Sequence, residues 1–103
     1  MKMEAVRKYA LSLAEVTEAP HHDYSSFRVR GKIFATVPPQ QDVIHLFVEE
    51  DDREQALAMY PAWAGKLLWG GKVRGLRVSL APAPAAAVKA LVGKAYDAQA
   101  GKR

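Results

Sequence analysis

The 103-residue chain contains no cysteine, which excludes disulfides, zinc–thiolate centres and thiol nucleophiles. No apolar run approaches the length needed to cross a bilayer, and the opening Met1-Lys-Met-Glu-Ala lacks the apolar core of a signal peptide. A cytoplasmic location without a membrane partner is therefore expected. Acidic residues are scarce towards one end. Residues 1–65 hold 7 Lys and Arg against 10 Asp and Glu, whereas residues 66–103 hold 8 against Asp97 alone. Such a tilt suits an anionic partner, although surplus lysine also serves solubility.

Signatures of catalysis are missing too. No serine lies in a nucleophile motif, no glycine-rich loop opens a helix in the manner of a phosphate cradle, and no carboxylate pair is set apart by its surroundings. His21-His22-Asp23 offers metal-ligand residue types, but the three are adjacent and no further ligand cluster stands near them. The expectation is a protein that is not an enzyme and has neither cofactor nor metal.

What is present is ordinary globular composition, half hydrophobic and one quarter charged, sized for one domain with a single core. Val6, Tyr9, Ala10 and Leu13 recur at helical spacing and predict a first helix over 3–15. Residues 17–24 read as a loop, since Pro20 blocks helix continuation. Residues 26–37 read as two strands folded at Arg30-Gly31-Lys32. A three-residue turn sets Val29 opposite Ile33 and Phe27 opposite Ala35. Phe27, Val29, Ile33, Ala35 and Val37 then share one face, with Arg28, Phe34 and Thr36 on the other. A two-residue turn would instead put Phe34 with Phe27 and leave Ile33 beside Arg28. The first register is preferred for its clean apolar face.

A third strand over 43–48 follows, then a helix capped by Asp51 or Asp52, with Glu54 placed for a capping box, ended by Pro61. Residues 66–69 and 76–80 read as two further strands around Gly70-Gly71-Lys72, with Leu76, Val78 and Leu80 inward and Arg77 and Ser79 outward. Pro84 opens a last helix to about Gln99, whose buried side is Val88, Leu91, Val92 and Ala95. The order α-β(3)-α-β(2)-α predicts an α+β fold of two layers, one antiparallel sheet with its helices on one face. Following the strands up and down puts the Arg30-Gly31-Lys32 and Gly70-Gly71-Lys72 turns at the same edge, with the acidic run Glu49 to Asp52 near them.

Val16-Thr-Glu-Ala-Pro-His-His, the Ser26-Phe-Arg-Val-Arg-Gly-Lys-Ile-Phe-Ala-Thr hairpin, the Pro61 helix end, Trp-Gly-Gly-Lys and the closing helix together resemble the MmcQ/YjbR family of small bacterial proteins. The resemblance spans nearly the whole chain and implies an α-β(3)-α-β(2)-α fold similar to secretion chaperones. It also implies a double-wing DNA-binding protein, with wings at Arg30-Gly31-Lys32 and at residues 70–74. Leu76 departs from the pattern, which has an aromatic at the opening of the last strand.

Arg28, Arg30, Lys32, Lys72, Arg74 and Arg77 are then the candidate nucleic-acid contacts, with DNA as the implied partner. Basic hairpin tips also occur simply to keep strand edges from pairing. Arg28, Phe34, Thr36, His45, Phe47 and Arg77 fall on the outer sheet face, where they would form either a platform for unpaired bases or ordinary packing, including a homodimer surface. The second is preferred while the register is open. Trp63 and Trp69 read as core or edge packing, with an exposed tryptophan pointing to a binding cleft. The alternative function is a protein-interaction module, similar to a secretion chaperone, that uses its sheet face for a dimer or a client.

Overall fold

The computed structural model describes residues 1–101. Three helices, α1 (Met3–Ser12), α2 (Glu50–Met59) and α3 (Ala85–Ala100), accompany six strands. These are β1 (Val16–His21), β2 (Tyr24–Val29), β3 (Lys32–Val37), β4 (Val43–Leu46), β5 (Ala64–Trp69) and β6 (Lys72–Ser79). They form one sheet in the order β1-β2-β3-β4-β6-β5, antiparallel throughout. All three helices pack on one face, where Val6 and Ala10 of α1, Ala56 of α2, and Val88, Leu91, Val92 and Ala95 of α3 join one apolar cluster with the inward strand residues. The α+β, two-layer expectation therefore holds, as does the inward placement of Leu76, Val78 and Leu80.

One strand more than expected is present. β1 occupies the stretch read as a loop, and its Pro20 is accommodated because β1 is an edge strand whose outer side needs no N–H donor. Glu18 of β1 points inward, where Arg7 Nε donates to its Oε1 at 3.0 Å and Ser25 Oγ to its Oε2 at 2.6 Å. This ties α1 to the sheet edge. At α2, Glu49 takes the N-cap position with no side-chain cap bond, so the capping box expected after Asp51 does not form. The helix starts just before that point, and Glu50, Asp51 and Asp52 occupy its first turn, where their charge suits the helix dipole.

The central hairpin combines the two registers weighed from sequence. Val29 pairs with Lys32 across a two-residue turn, yet Phe27 pairs with Ala35. A bulge absorbs the extra residue between these pairs, and two consecutive side chains of β3 turn inward as a result. Phe34 is fully buried beside Phe27 and Ala35, while Ile33 goes to the outer face opposite Arg28. The expected faces of Ile33 and Phe34 are thus exchanged. The physical reason is volume: the larger apolar ring fills the core beneath α3, where Tyr96 meets it.

Both hairpin tips are two-residue turns with positive φ at both positions, Arg30 (49°) and Gly31 (82°) in one, Gly70 (59°) and Gly71 (76°) in the other. This conformation matches the twist of the flanking strands. Between the hairpins, Gly75 lets β4 and β6 close together. A Cβ there would lie 2.6 Å from the Leu46 carbonyl oxygen and 3.3 Å from the Phe47 ring.

Candidate functional site

The strand directions carry both hairpin tips to one end of the sheet, on either side of the C-terminal end of β4. This bears out the shared edge expected from the chain order. Between the tips lies a cleft of about 380 Å³, which Ile33, Phe47, Val48, Trp69, Arg74 and Gln99 line with Thr36 and His21. Its walls therefore come from β3, the end of β4, the β5–β6 hairpin and the last turns of α3.

An aromatic group forms one side. The Trp69 and Phe47 rings lie 5.7 Å apart at 54°, and His45 meets Trp69 edge-on at 6.1 Å. Tyr24 of β2 lies 5.9 Å from the other side of His45. Trp69 nevertheless remains 40% exposed. His45 is buried and its Nδ1 shares a hydrogen bond of 3.2 Å with Thr36 Oγ1. Burial, and then the neighbouring Arg77 guanidinium, hold the imidazole below its usual pKa and favour the neutral ring. Gln99 is fixed at the rim because its Nε2 donates to the Phe47 carbonyl oxygen at 3.1 Å.

The candidate cations divide into two sets. Arg28, Arg77 and Lys72 take outward positions on their strands, and Arg74, the extra residue of the β5–β6 bulge, lines the cleft. Arg28 is partly held, its Nε donating to Ser26 Oγ at 3.0 Å and its Nη2 to the Pro20 carbonyl oxygen at 3.3 Å. Arg30 and Lys32 do not join this set. The Arg30 guanidinium pairs with Glu15 at 2.7 Å and donates to the Ala100 carbonyl oxygen, so it closes the C-terminal end of α3. Lys32 pairs with the inward Val29 and so alternates onto the helix side of its hairpin.

Acidic groups lie elsewhere. Among the described residues, no Asp or Glu takes an outward strand position, because Glu18 points inward. The run Glu49 to Asp52, expected beside the wings, turns to the helix layer. There Asp52 pairs with Lys94 of α3 at 3.3 Å, and Glu49 and Asp97 border the same hollow. At the wing end the acidic run therefore lies on the helix side, among Arg30, Lys32 and Lys94, and leaves the sheet side to cations.

Sequence reasoning placed Thr36, His45, Phe47 and Arg77 on the outer face correctly, but it missed Tyr24, Ile33 and Gln99. An exposed tryptophan was the sign named for a cleft, and Trp69 meets it. His21 borders the cleft while its neighbour His22 lines a different hollow with Asp23. Among the described residues, no three His, Asp or Glu side chains gather as a metal site would require. No described helix is long and apolar enough to cross a membrane.

A family model described as YjbR matches residues 11–98. Of solved structures, the chain is similar to Deinococcus radiodurans protein DR2400, which carries a DUF419 domain. The TM-score is 0.77 and the identity 18%, over 92% of this chain and 75% of that one. No curated protein matches.

Proposed function

The chain belongs to the YjbR family, and from that premise we propose that it is a non-catalytic nucleic-acid-binding module that works through its outer sheet face. One observation carries this reading. Arg28, Lys72, Arg74 and Arg77 share a face on which, among the described residues, no acidic side chain takes an outward strand position. A cationic surface without internal counter-charges is left to neutralise an external polyanion. Backbone phosphates are the main target of such contacts, so sequence preference is weak.

The test is a fluorescence-anisotropy titration with DNA at two salt concentrations. Four phosphate contacts give a slope of log affinity against log salt of about −3 to −4. The double change Lys72→Glu with Arg74→Glu flattens that slope by about 2 while the melting temperature holds, since both side chains are exposed. Absence of salt-sensitive binding to any DNA at low ionic strength would overturn the reading.

A second reading is favoured by β5, an edge strand that ends in exposed Leu68 and Trp69. An open edge with apolar side chains can add a strand from a second copy or a client protein. A concentration-dependent dimer without DNA affinity, dispersed by Leu68→Lys, is its signature in analytical ultracentrifugation.

A further inference from the structure

We propose that the ligand of this face is unpaired nucleic acid, held by a base that enters the cleft and stacks on Trp69. The inference rests on the nucleic-acid reading and adds the strand state of the ligand and the residue that recognises it.

Trp69 carries the argument. An exposed tryptophan on a hairpin would ordinarily be free to rotate, but Phe47 and His45 pack against this ring at 5.7 and 6.1 Å and restrict it. The residue is still 40% exposed. A pre-positioned aromatic surface costs little ordering on binding and accepts any base, because every base has a π-face. The cleft beside it, about 380 Å³, is within the range that takes a small ligand and suits a single nucleotide. Arg74 in its wall supplies a phosphate partner, and Gln99, anchored through its Nε2 to the Phe47 carbonyl oxygen, borders it as a polar group.

The geometry also weighs against a duplex. Paired bases keep their faces stacked within the helix and present only their edges in the grooves, so they cannot reach Trp69. The β2–β3 hairpin is not free to enter a groove either. The Arg30 side chain at its tip is bound to Glu15 and to the end of α3.

The test compares four probes on one protein: a twelve-residue oligothymidylate, a duplex of equal length, an abasic oligomer of equal length, and polyglutamate. The expected result is that the oligothymidylate binds at least tenfold more tightly than the other three and quenches tryptophan fluorescence. Trp69→Ala should remove about tenfold of that affinity, and Trp69→Phe should retain most of it. Neither variant should change duplex or abasic binding, which also reports that the fold is intact. If duplex and single strand bind equally, or Trp69→Ala weakens both alike, the face reads phosphate alone. The stacking inference then falls while the nucleic-acid reading stands. Equal binding of polyglutamate would overturn the inference in favour of an acidic protein partner, and no binding to any nucleic acid would overturn both.

Discussion

The Phe34 ring meets the Tyr96 ring edge-on, with centroids 5.7 Å apart and planes at 88°. The contact exists because the β3 bulge turns Phe34 beneath α3, and the Tyr96 hydroxyl continues across to donate to the Ala14 carbonyl oxygen at 2.8 Å. A single extra residue in one strand therefore joins the central hairpin to the last helix and the end of the first.

Phe34→Ala should be among the most costly substitutions in the chain. Removing a fully buried phenyl ring from a packed core costs about 3–5 kcal/mol. Arg28→Ala, which loses two hydrogen bonds from a half-buried side chain, should cost about 1 kcal/mol. Chemical denaturation of the two variants checks the order. Equal midpoints would mean that the bulge does not bury Phe34.

Arg30 combines an unfavourable backbone with favourable side-chain contacts. Its φ of 49° lies in the left-handed region that costs a non-glycine residue about 1 kcal/mol. Its guanidinium offsets this through Glu15 and the α3 terminus. Arg30→Ala keeps the strain and loses the contacts, so it should destabilise by about 1 kcal/mol. Arg30→Gly relieves the strain and should destabilise less, a ranking that thermal melts of the two variants will read directly.

His45 makes stability depend on pH. Its folded-state pKa is lowered, by burial first and by Arg77 second, so the unfolded chain binds the proton more readily. The stabilising contribution of the neutral ring is complete above the unfolded value near 6.5 and is lost as pH falls through the folded value. Besides Arg77 of β6, the ring faces Thr36 of β3, Tyr24 of β2 and Trp69 of β5, none of which supplies a negative charge to offset protonation. The melting temperature should fall between pH 7 and pH 5.5, and less so in His45→Asn. An NMR titration that places the His45 midpoint at or above 6.5 would refute this.

The layer arrangement was legible in the sequence because it depends on period and punctuation. Alternating Leu76, Val78 and Leu80, the helical stripe of Val88, Leu91, Val92 and Ala95, and Pro61 after α2 are all local signals. β1 was not legible, since a strand containing Glu18 and Pro20 shows no apolar alternation. It forms because the edge of β2 and the Arg7 guanidinium receive it. The bulge was equally hidden, because each turn length satisfies half of the hairpin. The cleft was only partly legible. Phe47 and Arg74 stood out, but Gln99 reaches the rim from far along the chain, and Arg30 is drawn away by a carbonyl 70 residues distant.

The position of β6 between β4 and β5 sets the order in which the molecule can be completed. A chain that emerges from its N-terminus can pair β1 to β4 as each follows the last, whereas β5 must wait for β6 before it has a neighbour. Arg28, Ile33 and Phe47 thus belong to the part that forms early, and Trp69 and Arg74 to the hairpin that arrives late. A nascent chain holds one wall of the cleft without the other. The cleft is complete only once β6 has been inserted and the last turns of α3 have brought Gln99 to its rim, so its outline marks a finished protein rather than a partly made one.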